Sequence, residues 1–359
     1  MVVVAGMAVT LHAESTVSTN LHEEAGLIPP RHDVKPLLDA ASALLSGRGA
    51  FPFYGDSVPL GYAPPYVALF TVLAWMPRGL AYALSVLTCA GLTVVTLGAW
   101  ARRDGEVPGW FWAIALSLPV VALVRIDQLM SAVGLAAITA AIFAQRRGNW
   151  WLAGAMTGLA LIRTANALPI LAMLLVVAWN RPRNHALLLL GMGGVLVPLG
   201  AIATLWDGQW VQHYLHNLQV LPVVGPLKLV REGLGVGGTL GLQLGGCLVA
   251  AALGFPDRGR TVNLDRAAMA LALTLVTAVL ASFYPAVFVL PGIIQVAKRP
   301  GMAAVAWIAA FVPWLVILAF TSALLGPRPL GTLNLLTMID FVLLAGCYPL
   351  LRLRPTRTH

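Results

Sequence analysis

Long apolar runs separated by short polar clusters dominate the chain. A helix of roughly 17–25 apolar residues can cross a bilayer. The segments 79–100, 108–125, 128–145, 150–163, 165–179, 185–206, 234–254, 266–283, 284–297, 302–325 and 332–351 approach or reach that length. Two neighbouring pairs are short and split by a break, at Arg163-Thr164-Ala165-Asn166 and at Phe283-Tyr284-Pro285. The run 64–77 is shorter still and opens on Pro64-Pro65, which predicts a partial or re-entrant element. The pattern predicts an all-α, polytopic transmembrane helical bundle of about eleven to thirteen helices. Residues 1–359 then form a single integral membrane domain. Residues 1–13 lack a basic leading region and do not read as a cleavable signal peptide.

Two longer polar stretches interrupt this pattern, at 14–62 and 207–232. Within the first, Asp33 stands at a helix N-cap position with Pro36 in the first turn. The following segment places Leu37, Leu38, Ala41, Leu44 and Leu45 on one face, and Gly47 suits a left-handed ending. This predicts an amphipathic helix lying along a membrane surface. A run rich in aromatics and prolines, FPFYGDSVPLGYAPPY, comes next and suits contact with sugar or lipid. The second stretch holds Asp207, Trp210, His213, Tyr214, His216, Lys228 and Arg231. His213 and His216 share a helix face, but no third ligand is evident nearby, so no metal site is assigned.

Composition narrows the class. Of 359 residues, 59% are apolar and 10% charged, with a mean hydropathy of +0.83. Soluble domains carry about 25% charged residues. A disordered chain, a nucleic-acid binder and an ordinary cytosolic enzyme are thereby excluded. The net charge of +9 reads instead as loop asymmetry. Basic clusters recur in alternate loops, at Arg146-Arg147, Arg181/Arg183, Arg258/Arg260/Arg266, Lys298-Arg299 and Arg352/Arg354/Arg357, and Arg102-Arg103 joins them if 108–125 and 128–145 form a hairpin. The positive-inside rule makes that side cytoplasmic. The acids Glu14, Glu23, Glu24, Asp33, Asp39, Asp56, Asp127, Asp207 and Glu232 fall on the other side, which makes 14–62 and 207–232 extracytoplasmic. Cys89, Cys247 and Cys347 each lie in apolar runs and read as buried thiols.

Ionisable residues at membrane depth are costly, which makes them candidates for function. Arg125 and Asp127-Gln128 sit at an outer helix junction, where Asp127 either pairs with Arg125, caps the next helix or faces substrate. Arg163 lies at the break between two short runs, near Asn166, and a guanidinium there suits bidentate phosphate binding or snorkelling to the interface. Asp340 sits in the last run. Tyr284-Pro285 reads as a kink.

The ordered set Asp33, Asp39-Ala40-Ala41, Gly47, Phe53-Tyr54 and Tyr62-Ala63-Pro64-Pro65, followed by DQLMSAVGLAAITAAIFAQRRGNWWLAGAMTGLALIRTANALPIL, resembles a known family. It is similar to the GT-C superfamily, and within it to the polyprenol-phosphate-mannose-dependent alpha-mannosyltransferases of actinobacteria (glycosyltransferase family eighty-seven). The resemblance implies an inverting transferase in a bacterial plasma membrane, active on the outer face. The donor is a polyprenyl-phosphate sugar, and the acceptor a glycolipid or glycan hydroxyl. Asp33 matches the general base of the first loop; His32 beside it reads as a surface histidine or a substrate contact, and Tyr62 is a further substrate-binding candidate. Arg163, after Gly158-Leu159-Ala160, stands where the family carries a basic residue that contacts the donor phosphate. Of the Gly-Gln-x-Asn pattern only Gln128 matches, since Asp127 and Met130 stand where the family has Gly and Asn, and Arg125 lies just before it. Ser282-Phe283-Tyr284-Pro285 lacks the Asp or His of the family's later motif. No cofactor is implied beyond a divalent cation compatible with the chemistry, and no nucleic acid is a partner. Two other classes fit the composition: a transporter or flippase for an amphiphilic solute, and a non-catalytic member of the same family.

Overall fold

In the computed structural model, residues 34–49, 62–125, 127–220, 226–273 and 287–312 are described. Among them the secondary structure is helical, with no strand. The helices are α1 (Lys35–Leu45), α2 (Pro64–Ala74, with a 3-10 turn at Ala68–Phe70), α3 (Arg78–Ala101), α4 (Phe111–Ala115), α5 (Leu118–Arg125), α6 (Leu129–Arg146) and α7 (Trp150–Ala160). There follow α8 (Thr164–Ala178), α9 (Pro182–Trp206), α10 (Trp210–Val220), α11 (Pro226–Gly254), α12 (Leu264–Ala272) and α13 (Leu290–Ala297). A 3-10 turn, Leu161–Arg163, joins α7 to α8. Four helices, Arg78–Ala101, Leu129–Arg146, Pro182–Trp206 and Leu240–Asp257, are long and apolar enough to cross a membrane. Three of them present apolar side chains outward, with Leu87, Val95, Val197 and Leu248 exposed, while Leu129–Arg146 is largely buried. A continuous face of that kind suits hydrocarbon better than water.

Local chemistry explains most helix boundaries. Proline occupies the first turn of α1, α2 and α9, where its missing N–H costs nothing. Asn149 caps α7 by accepting from the Leu152 N–H at 3.0 Å, and Asn263 caps α12 by accepting from Asp265 and Arg266. The run 108–125 is not one span: it divides into α4 and α5 around Leu116-Ser117. Pro119 supplies no N–H for the Ala115 carbonyl four residues back, so the ladder breaks before it and restarts at Leu118. The region 207–232 is likewise not a plain loop, since α10 and the start of α11 occupy much of it. Gly235, at φ 64° and ψ −162°, then breaks α11. As expected, 64–77 holds only a short apolar helix. The segments 313–359 and 274–286, with Asp340 and Tyr284-Pro285, lie outside the described residues.

Hydrogen bonds between helix ends define one end of the assembly. Gln145 on α6 donates to the Arg260 carbonyl (2.9 Å) and accepts from the Val262 N–H (2.9 Å). Arg146 donates to the Val262 carbonyl. Gly259 N–H donates to the Val177 carbonyl at the end of α8 (2.8 Å). Lys298, after α13, donates to the Trp100 carbonyl at the end of α3 (3.3 Å). Burial pushes the Lys298 pKa below the usual lysine value, with Asp265 opposing that shift. The basic clusters at 102–103, 146–147, 181–183, 258–266 and 298–299 therefore meet at one end. The ends of α6 and α8 both lie there, so α7 and α8 form a hairpin whose apex is the Leu161–Arg163 turn.

α7 and α9 run parallel in close contact. The sequence Gly154-Ala155-Met156-Thr157-Gly158 faces Leu188, Met192 and Val195, and Gly191 faces Trp151. Small residues four apart let two backbones approach, a packing mode favoured between helices in lipid.

Candidate functional site

The end opposite the basic clusters gathers the first amphipathic helix, the Tyr62–Pro65 run and the α7–α8 apex. α1 buries Val34, Leu37, Leu38, Ala40, Ala41 and Ala43. Leu44 is half-buried and Leu45 is 49% exposed. The buried side of α1 packs against α2. The N-cap position falls on Val34, which makes no side-chain cap bond. Asp33 and His32 lie outside the described residues. α1 ends as expected on Gly47, at φ 66°. There Arg48 N–H bonds the Ala43 carbonyl and Gly47 N–H the Leu44 carbonyl, the paired bonds of a Schellman ending.

Three contacts fasten this unit to the rest. Trp206 Nε1 donates to the Arg48 carbonyl (2.8 Å), tying the end of α9 to the end of α1. Arg78, at the start of α3, pairs with Asp39 at 2.7 Å. Tyr66 donates its hydroxyl proton to the Gly158 carbonyl (2.8 Å) in a buried contact between α2 and α7. Tyr62 is buried beside it in the chain. Gly158 leads into the Leu161–Arg163 turn, and Asn166, buried, opens α8. The Arg163 side chain lies outside the described part of the structure, as does that of Arg125.

The junction between α5 and α6 has an unusual local geometry. Asp127 adopts φ 55°, a left-handed conformation, and is 1% exposed. Its N–H bonds the Val124 carbonyl (3.2 Å), and the Gln128 N–H bonds the Leu123 carbonyl (2.9 Å). This is the same Schellman ending as at Gly47, with an aspartate where glycine is usual. Aspartate is among the few L-residues that visit this region at modest cost. Ser85 on α3 donates to Asp127 Oδ1 at 2.6 Å. Cys89, one turn further along α3, contacts the Leu123 carbonyl at 3.7 Å. Asp127 does not cap α6, whose N-cap is Gln128 without a side-chain cap bond. It terminates the helix before it instead. Gln128 is buried and accepts from the Ser131 hydroxyl (3.3 Å). The Leu161–Arg163 turn packs against α6, so Gln128 and the α7–α8 apex belong to one neighbourhood.

α10 adds a pair that the sequence did not suggest. His213 Nδ1 and Asp207 Oδ2 are 2.6 Å apart, and the other Asp207 oxygen accepts from the Gln209 N–H (3.0 Å). His213 therefore has an aspartate partner six residues back. Among the described residues no group of three metal-ligating side chains forms. Ser85 and Tyr66 were also missed. Ser85 carries a weak signal, a polar residue one helical turn from Cys89 in an otherwise apolar run.

No family model, no curated protein and no solved structure matches this chain.

Proposed function

We propose that the chain is an integral membrane glycosyltransferase of GT-C type, a polytopic bundle of about eleven to thirteen helices in a bacterial plasma membrane. It transfers mannose or a related sugar from a polyprenyl-phosphate donor to a hydroxyl of a glycolipid or glycan on the outer face. The observation that carries this reading is the convergence of three features at the end away from the basic clusters. These are α1, the Tyr62–Pro65 run and the apex at Leu161–Arg163, joined by the Trp206–Arg48 and Tyr66–Gly158 hydrogen bonds. Val34, fully buried, anchors the chain at the residue after Asp33.

The chemistry follows from the charges. The acceptor hydroxyl attacks the anomeric carbon as the bond to the donor phosphate breaks, with inversion. The Asp33 carboxylate accepts the hydroxyl proton during attack. The lipid phosphate departs as a stable anion and requires no general acid. Arg163 stabilises the charge developing on it. No nucleotide takes part, in keeping with the absence of a Gly-rich phosphate loop in the sequence.

The test is incubation of the purified protein with radiolabelled polyprenyl-phosphate mannose and crude lipid acceptors. Transfer is expected with wild type and a loss of about 100-fold or more with Asp33→Ala, with thermal unfolding unchanged. Wild-type transfer by Asp33→Ala would sink the reading. One observation favours a transporter instead: a buried carboxylate at a helix break, Asp127, is a common feature of ion and solute pathways. Uptake of an amphiphilic solute into proteoliposomes without product formation would select that alternative.

A further inference from the structure

At the basic end the turn Arg258-Gly259-Arg260 packs beside Arg181, at the start of α9. Gly259 is left-handed, at φ 68°, and a methyl group on it would stand 3.7 Å from Arg181 Nε. Arg181 thus runs alongside a glycine flanked on both sides by arginine. The turn is held firmly. Gly259 N–H donates to the Val177 carbonyl (2.8 Å) and Gln145 donates to the Arg260 carbonyl (2.9 Å), fixing it to the ends of α8 and α6. Arg181 and Arg260 are exposed and Arg258 is half-buried over the Phe255 ring, 3.5 Å from its centroid.

Like charges on one turn and the helix beside it attract an anion. The nearest acid in sequence, Asp257, does not supply it. One of its oxygens takes Arg266 and the other accepts from the Asn263 N–H (2.9 Å). Asp265 is likewise engaged by Arg299 (3.3 Å). Two exposed aromatics flank the cluster, Trp179 at 69% and Phe255 at 55%. Aromatic side chains at that position suit the boundary between headgroups and hydrocarbon. Guanidinium groups grip phosphate through paired hydrogen bonds, and basic pockets between helix ends bind anionic headgroups.

We infer that Arg181, Arg258 and Arg260 form a binding site for the phosphate headgroup of an anionic phospholipid. The inference rests on the membrane reading and not on the sugar chemistry, so a failed transfer assay leaves it standing. The site ties α8, α9 and the segment after α11 to one lipid.

The experiment is native mass spectrometry of the full chain in mild detergent, titrated with phosphatidylglycerol, phosphatidylcholine or inorganic phosphate. Phosphatidylglycerol is expected to bind in preference to phosphatidylcholine, and millimolar phosphate is expected not to displace it. Each arginine near a lipid surface contributes about fivefold in affinity. The triple variant R181Q/R258Q/R260Q should therefore bind phosphatidylglycerol roughly a hundredfold more weakly. The control variant R102Q/R103Q/R147Q, which removes as much charge elsewhere at the same end, should lose far less than the triple variant, because it keeps the three arginines that grip the headgroup. If the triple variant does not fold, Arg181→Gln and Arg260→Gln singly should each lose about fivefold. Equal binding of the two lipids, displacement by free phosphate, or equal loss in the control would each overturn the site. Failure to retain any lipid would instead overturn the membrane reading beneath it.

Discussion

Gly154 and Gly191 hold α7 and α9 closer than any side chain permits. A methyl group on Gly154 would stand 1.9 Å from the Leu188 carbonyl oxygen, and one on Gly191 would stand 2.0 Å from the Trp151 carbonyl oxygen. Ordinary contact begins near 3.4 Å, so alanine at either position forces a separation of about 1.5 Å. The atom met is backbone and cannot rotate aside. Overpacking of this kind costs ~1–3 kcal/mol, and the rigid obstacle puts both sites near the upper figure. Replacing a helical glycine by alanine returns about 1 kcal/mol through propensity. The net loss for Gly154→Ala or Gly191→Ala is then about 2 kcal/mol. Gly193→Ala, on α9 with nothing within 4 Å, isolates the propensity gain and should be neutral or slightly stabilising. The double variant G154A/G191A should cost less than the two losses added, because one displacement relieves both clashes. Unfolding of the purified full chain in detergent, by heat or by titration with SDS, reads these differences. Stability of Gly154→Ala equal to that of Gly193→Ala would refute the close approach.

Three further outcomes test other parts of the structure in the same unfolding assay. Asp127→Asn keeps both the tolerance for a left-handed backbone and an acceptor for Ser85, and should stay near wild type. Asp127→Ala loses both and should cost about 2–3 kcal/mol, so equal stability of the two variants would contradict the Schellman ending. Gln145→Ala leaves the buried Val262 N–H without its acceptor and should cost about 1–3 kcal/mol, whereas Gln145→Glu, which keeps that acceptor, should cost less. Asp207→Asn weakens the hold on His213 but can still cap the Gln209 N–H. A loss of about 1 kcal/mol is expected, and Asp207→Ala should lose more because the cap also goes.

Much of the helical layout was legible in the sequence because hydrophobic length and proline placement are local properties. α3, α6 and α9 coincide with their apolar runs to within a few residues, and Gly47 ends α1 in the expected conformation. The break at Arg163 was legible for the same reason: polar residues interrupt an apolar run there. The division of 108–125 at Pro119 was not seen, because a run of uniform hydrophobicity hides a missing N–H. The apolar face of α1 was legible, but its packing against α2 was not, because amphipathicity does not say what covers a face. Asp127 carried a readable charge but an unreadable conformation, since the left-handed ending depends on bonds to Leu123 and Val124 and on Ser85 from another helix.

By itself the sequence determined a chain of long apolar runs with basic clusters between them. Those features are sums over neighbouring residues, and neighbours in sequence suffice to define them. The tertiary structure decided which runs meet. It brought the basic clusters at 102–103, 146–147, 181–183, 258–266 and 298–299 to one end, drew α7 against α9 through glycine, and set Tyr66 on the Gly158 carbonyl. It also placed Arg181 beside Arg258 and Arg260, 77 and 79 positions away in sequence. Such meetings depend on helix length, crossing and close approach. These are set by steric fit between distant segments, which no local pattern encodes.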